Sequence, residues 1–165
     1  MDPRRFFRHI RMSPIEARRC FPPSTLDAVQ QEVAAQEARH RGEVCFVVEA
    51  ELTSGQLWRG VSSRHRAREV FALQGVWNTE ENNGVLIYLL LADRSVEIVA
   101  DRGADRSASA QEWQVICRAM EGQFRAGRFR EGAIAGVRAV SEVLVRAFPA
   151  TGDARNELGD RPVMM

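Results

Sequence analysis

The sequence contains no lysine, and it has only three cysteines among its 165 residues. Three cysteines are too few for a disulfide framework, and the spacing of Cys20, Cys45 and Cys117 matches no zinc-binding pattern. No apolar run approaches the roughly 20 residues that a membrane-spanning helix requires. Near the N-terminus, Arg8 and His9 interrupt the apolar residues, which leaves no stretch of about 7–15 residues typical of a secretory signal. We therefore expect a cytoplasmic protein without an integral membrane segment, whose thiols stay reduced.

Motifs of the common enzyme classes are also missing from the sequence. It has no glycine-rich phosphate-binding loop and no Gly-x-Ser-x-Gly nucleophile elbow. The histidines are widely separated, so they offer neither a His-x-x-x-His zinc pair nor a base beside a cysteine. The tryptophans are scattered and form no stacking platform for nucleic-acid bases. No residue is therefore an evident nucleophile.

The composition that remains is that of one ordinary domain, with 45% hydrophobic and 27% charged residues. This balance supplies a core and excludes low-complexity disorder. The charges are uneven, because residues 1–23 hold six arginines against Asp2 and Glu16, and the rest of the chain is slightly acidic. We predict a basic N-terminal arm over residues 1–23 that ends at Pro22-Pro23. Such an arm is either a solvated flank or a contact for an anionic membrane surface or nucleic acid.

Hydrophobic periodicity divides residues 24–149 into helices and strands. Gly84 to Ala92 is the most apolar run, so we predict that it forms the central strand. The apolar segment from Glu43 to Glu51 is predicted to be a parallel neighbour, because a helix separates the two strands. After a tight turn, Val96 to Ala100 adds an antiparallel strand. The predicted helices cover residues 24–41, 57–74, 109–126 and 129–148, and residues 150–165 are predicted to be a disordered tail.

Helices on both faces of a small mixed sheet predict an α/β fold, the three-layer α/β/α sandwich. Gly132 and Gly136 lie four residues apart in the last helix. They leave a smooth strip that another element can approach closely.

Several short motifs stand out in this domain. They are Arg66-Ala67-Arg68-Glu69-Val70-Phe71, Asn82-Asn83-Gly84-Val85-Leu86-Ile87, Asp93-Arg94, Val96-Glu97-Ile98-Val99-Ala100-Asp101-Arg102-Gly103 and Phe124-Arg125-Ala126-Gly127-Arg128-Phe129 with Gly132.

Together these motifs resemble the TPM domain family. The resemblance covers roughly residues 24–149 and implies the α/β/α sandwich. The family includes a plant thylakoid member assigned acid phosphatase activity, members that bind divalent metal, and members that look like accessory proteins of membrane complexes. Without an export signal or membrane segment, the chain looks like a short cytoplasmic bacterial branch.

Polar residues are predicted to gather at one end of the sheet. In an antiparallel pair, the start of one strand lies beside the end of its partner. The segment before Gly84 should therefore meet the segment after Ala100. Carboxylate and amide oxygens suit Ca²⁺ or Mg²⁺, and arginine with a helix N-terminus suits an anion. The candidate metal ligands are Glu80, Glu81, Asn82, Asp101 and Asp105, and the candidate anion-binding residues are Arg102 and Ser109.

Turn chemistry is the alternative explanation for the same residues. Asn82, Asn83 and Gly84 suit a tight turn, because asparagine tolerates left-handed backbone and glycine adopts it freely. Asp101 would then cap a loop and pair with Arg102 on the surface.

Two functions from different classes fit the sequence. One is a non-catalytic cytoplasmic module that binds an unknown protein partner and a divalent cation. The other is a metal-assisted phosphatase of the acid-phosphatase type, in which a cation polarises the phosphoryl oxygen and activates water. The lack of an evident nucleophile favours the binding module.

Overall fold

The computed structural model describes residues 2–151 and 156–165. Over those residues it contains eight helices and four strands, in an order that begins with helices and ends with a strand. The elements are α1 Pro3–Arg11, α2 Pro14–Cys20, α3 Pro23–Glu37, β1 Glu43–Glu49, α4 Ser54–Trp58, α5 Ser63–Leu73, β2 Gly84–Leu90, β3 Ser95–Ala100, α6 Arg102–Asp105, α7 Ala110–Arg125, α8 Phe129–Ala147 and β4 Val163–Met164.

The four strands form one mixed sheet in the order β3-β2-β1-β4. β1 and β2 are parallel, with Val44 opposite Val85, and every residue of both strands is buried. β2 and β3 are antiparallel, with Val85 opposite Ala100. β2 therefore lies inside the sheet, as its continuous apolar sequence predicted.

Helices cover both faces of the sheet, and the α/β/α sandwich is confirmed. On one face, α3, α7 and α8 pack over alternate strand residues that include Phe46 and Ile87. On the other face, α4 and α5 contribute Leu57 and Val70 to a second cluster around Tyr88. None of the helices within the described residues is long and apolar enough to cross a membrane.

The predicted basic arm, residues 1–23, forms two helices that pack on the domain. Phe21 is only 1% exposed, and its ring lies 6.3 Å from Phe46 and 5.6 Å from Phe129 between centroids. His9 is also buried, where its Nδ1 accepts a hydrogen bond of 2.9 Å from the Leu52 amide. These contacts join residues far apart in sequence, so a local count of arginines gives no indication of them.

The predicted disordered tail, residues 150–165, also contributes to the sheet. The structure pairs β4 with Val47 and Val48 of β1. The Glu43 carboxylate accepts hydrogen bonds of 3.0 Å from the amides of Glu157 and Leu158. A two-residue strand is too short to have a recognisable pattern. Residues 152–155 of this predicted tail lie outside the described residues.

The single helix predicted over residues 57–74 is two helices. α4 ends at Trp58, and Gly60 then adopts a left-handed φ of +68°. The Ser62 hydroxyl accepts a hydrogen bond from the His65 amide and caps α5. Glycine adopts left-handed backbone without a steric penalty, so Gly60 ends one helix where the apolar periodicity continues.

Candidate functional site

The start of β2 and the end of β3 meet as the sequence predicted. The Asp101 amide donates to the Gly84 carbonyl at 2.8 Å. Two residues further along each segment, the Gly103 amide donates to the Asn82 carbonyl at 2.8 Å. Backbone hydrogen bonds thus fix the loop before β2 against the start of α6.

This junction needs its small residues. A Cβ on Gly103 would lie 2.6 Å from the Asn82 carbonyl oxygen and 2.7 Å from that of Glu81. A Cβ on Gly84 would lie 2.1 Å from the Val76 carbonyl oxygen. Asn82 has a left-handed φ of +53°, which asparagine tolerates. Turn chemistry therefore accounts for the Asn-Asn-Gly sequence, and it positions the neighbouring polar side chains.

Two buried oxygens at the junction have no hydrogen-bond partner among residues 2–151 and 156–165. Asp101 caps α6, because its Oδ1 accepts the Arg102 amide at 2.7 Å, but its Oδ2 is buried and unpaired. Asn83 donates from Nδ2 to the Arg41 carbonyl at 2.7 Å, and its Oδ1 is likewise buried and unpaired. Most buried polar atoms are hydrogen-bonded, so each of these oxygens needs an explanation.

Among the predicted site residues, Asn82, Asp101 and Arg102 are brought together. Arg102 Nη2 donates to Asn82 Oδ1 at 3.3 Å, which directs the guanidinium to the loop before β2. Ser109 begins α7, where its hydroxyl accepts the Glu112 amide at 3.1 Å and acts as a helix cap.

The remaining predicted carboxylates have other surroundings. Glu81 pairs with Arg41 and also accepts a long hydrogen bond of 3.4 Å from Asn83 Nδ2. Glu80 is exposed, and its amide donates to the Glu157 carboxylate at 3.1 Å. Asp105 is exposed on α6 and lines a different cavity, beside Arg64. Among the residues described, no three His, Cys, Asp or Glu side chains form a group that could hold a metal. A cation at this junction would therefore rely on Asp101 together with amide and main-chain oxygens.

A second polar cluster, which the sequence did not reveal, lies between the end of α3 and the C-terminal segment. A cavity of about 230 Å³ is lined by Glu37, His40, Glu43 and Asp160. Burial and the neighbouring carboxylates Glu43 and Asp160 raise the pKa of Glu37 to about 8. Burial lowers the pKa of His40 to about 4. Asp160 is more than 100 residues away along the chain, so no local motif could have indicated this cluster.

A third polar group is buried beneath α5. Arg66 binds the Glu49 carboxylate, and Tyr88 donates its hydroxyl to Glu49 Oε2 at 2.5 Å. Burial and the bond to Glu49 raise the pKa of the Tyr88 phenol well above its usual value. Arg66 and Tyr88 lie within the predicted helix and strand, but only the strand register brings both to Glu49.

The cysteines are not activated as nucleophiles. Burial raises the pKa of Cys45 and of Cys117 to about 11, and it also raises the pKa of Cys20. A thiolate is the reactive form of cysteine, so these thiols are inert at neutral pH.

Comparison with known proteins agrees with the architecture. The sequence model of the TPM domain matches residues 17–143. The chain belongs to the TPM domain family. This TPM domain resembles the NMR structure of the BA42 protein from the psychrophilic bacterium Bizionia argentinensis, with a TM-score of 0.75 and 25% sequence identity over 86% of this chain and 93% of that one.

A second TPM-like fold is the N-terminal domain of a protein from P. gingivalis. Its solution NMR structure gives a TM-score of 0.61 at 23% identity, over 78% of each chain. At that identity the likeness concerns the fold alone. Comparison with curated proteins finds no match for this TPM domain protein.

Proposed function

We propose that this TPM domain protein is a non-catalytic binding module whose ligand contacts the junction of β2, β3 and α6. The observation that supports the proposal most directly is the pair of unpaired buried oxygens, Asp101 Oδ2 and Asn83 Oδ1. Both oxygens can accept a hydrogen bond or bind a cation. A hard divalent cation such as Ca²⁺ or Mg²⁺ takes carboxylate, amide and main-chain oxygens as ligands, so it would satisfy an oxygen of either kind.

A cation held by one carboxylate binds weakly. The affinity of calcium sites depends on the number of charged ligands, and the weakest sites have dissociation constants of about 10⁻⁴–10⁻³ M. We therefore expect a response only at millimolar cation concentration. The Asp101 cap and the close approach at Gly103 hold the loop before β2 in place without the ion.

The phosphatase alternative is less well supported by the same residues. Arg102 would have to bind a phosphate oxygen, but its guanidinium already donates to Asn82 Oδ1. The three thiols have raised pKa values and offer no ready nucleophile. A phosphatase would then depend on a cation-activated water alone.

Thermal unfolding with and without millimolar Ca²⁺ or Mg²⁺ tests the proposal. A ligand at about ten times its dissociation constant stabilises the native state by about 1.4 kcal/mol, which raises the melting temperature by about 3–6 °C. Asp101→Asn should abolish the rise and keep the fold, because asparagine is also a good helix cap. Asp27→Asn, at an exposed position on α3, is the matched control and should keep the rise.

Gly103→Ala is a second test of the same junction. The added methyl group would push against the Asn82 and Glu81 carbonyls and should remove the cation response. If neither cation changes the melting temperature of the wild-type protein, the cation site is contradicted. Hydrolysis of an aryl phosphate that requires the same cation and Asp101 would instead establish the phosphatase.

A further inference from the structure

The outer surface of α1 and α2 exposes large apolar side chains together with arginines. Phe7, Ile10 and Ile15 are 64%, 59% and 66% exposed. We define this N-terminal face by these three residues and the exposed arginines of the two helices. The arginines are Arg4, Arg8, Arg11, Arg18 and Arg19.

The two helices are held so that this face points outward. Arg5 lies on the opposite side of α1, where its Nη2 pairs with Asp93 at 2.7 Å. His9 Nε2 lies 3.1 Å from the same carboxylate. Ala17 and Phe21 then hold α2 and the residue after it in the core. Arg5, Phe6 and His9 thus face the protein from α1, and Phe7 faces the solvent.

The N-terminal face is also electropositive. A concave surface of about 620 Å³ is lined by Phe7 and by arginines of both helices and of the β2–β3 turn. Glu16 is the acidic residue in this lining, and the nearby Asp93 pairs with Arg5 and, at 3.5 Å, with Arg8. The lining arginines are Arg8, Arg11, Arg19 and Arg94.

We propose that the N-terminal face binds the surface of an anionic lipid bilayer. Amphipathic helices at a bilayer surface bury aromatic and aliphatic side chains about 5–10 Å deep, and their arginines meet the lipid phosphates. The charge of the face complements anionic headgroups, and its three apolar side chains supply the inserted part. Nucleic acid would use the arginines and stack on Phe7 but has no use for Ile10 or Ile15. This inference is independent of the cation site.

Co-sedimentation with phosphatidylcholine vesicles, with and without phosphatidylserine, tests the proposal on the full chain. We expect binding only to vesicles that contain phosphatidylserine, with a loss at high salt. Arg11→Gln with Arg19→Gln should weaken binding about tenfold or more, because each arginine near an anionic surface contributes severalfold to affinity. The matched control is the double variant Arg106→Gln with Arg118→Gln, which should bind vesicles as the wild-type protein does. Arg106 is exposed at the C-terminal end of α6, and Arg118 is exposed on α7.

Substitutions of the exposed apolar side chains give a second test of the proposal. Phe7→Ser and Ile15→Ser should each weaken vesicle binding and leave the melting temperature unchanged, because both side chains are exposed. Equal sedimentation of the wild-type protein with both vesicle types would overturn the proposal. The proposal would also be overturned if both serine variants bound vesicles as tightly as the wild-type protein does, and if the wild-type protein bound an RNA homopolymer more tightly than vesicles. That result would assign the face to nucleic acid.

Discussion

Arg66 binds the carboxylate of Glu49 through two nitrogens, Nε and Nη2, at 3.0 and 2.9 Å. Both side chains are largely buried, with exposures of 13% and 7%. α5 thus contacts β1 through a desolvated ion pair that Tyr88 of β2 completes.

Removing one partner of this pair should be costly. Arg66→Met leaves the Glu49 carboxylate buried beside Tyr88 without its counterion, and such losses cost about 3–5 kcal/mol. Urea unfolding should report a decrease of that size. Arg68→Met, at an exposed position of the same helix, should change the free energy of unfolding by less than about 0.5 kcal/mol. Equal effects of the two variants would contradict the role of the ion pair.

Glu37 should make stability fall as the pH rises from about 4.5 to about 8. Its folded pKa of about 8 lies above the ordinary 4.5, so the native state holds a proton that the unfolded state releases between those values. The free energy of unfolding then decreases with pH in that window, by up to about 1.4 kcal/mol per pH unit. Glu43, whose pKa burial also raises, acts in the same direction.

His40 acts in the opposite direction at lower pH. Its folded pKa of about 4 lies below 6.5, so its contribution to stability is present above pH 6.5 and is lost as the pH falls towards 4. The window from pH 6.5 to 8 therefore isolates the carboxyl groups. Glu37→Gln should flatten the decrease in melting temperature across this window. Glu131→Gln, exposed on α8, should keep the wild-type slope, and an unchanged slope in Glu37→Gln would disprove the assignment.

Phe21 should be as important as any core residue of the domain. Phe21→Ala leaves a cavity between Phe46, Phe124 and Phe129, and buried Phe→Ala substitutions cost about 3–5 kcal/mol. Chemical denaturation should show this loss. Phe7→Ala, at an exposed position of α1, should have a small effect. A minor effect at Phe21 would mean that residues 1–23 behave as the independent arm that their composition suggested.

Two helical glycines should respond to alanine with opposite signs. A Cβ on Gly132 would lie 2.7 Å from the Gln123 Cβ, so Gly132→Ala should separate α7 from α8 and destabilise the protein by about 1–3 kcal/mol. A Cβ on Gly122 meets nothing within 4 Å. Gly122→Ala should therefore stabilise α7 by about 0.5–1 kcal/mol, because glycine has the greater entropy in the unfolded chain. Urea midpoints of the two variants give both signs in one experiment.

The parts of the fold that sequence predicts are those with strong local patterns. The continuous apolar run from Gly84 to Leu90 indicated the central strand, and the antiparallel turn after it brought Asn82 near Asp101. The two glycines of α8 indicated the close approach of α7, where Gly136 meets Met120. In each case the residues that led to the prediction lie close to one another in the sequence.

The parts that sequence missed depend on single long-range contacts. Phe21 belongs to a segment rich in arginine, and nothing near it indicates Phe124 as a partner. Val163 and Met164 make too short a strand to be recognised before the position of β1 is known. The backbone brings Glu80 and Glu81 to the predicted junction, but Glu80 is exposed there and Glu81 forms an ion pair with Arg41.

The anchoring of both chain ends to buried carboxylates defines what a minimal fragment must contain. A fragment cut to residues 17–143 would keep Asp93 but lose Arg5 and His9, which bind it. It would also keep Glu43 but lose residues 157 and 158, whose amides donate hydrogen bonds to the Glu43 carboxylate. A fragment that keeps these contacts therefore extends beyond the family match at both ends, at least to Arg5 and to Leu158.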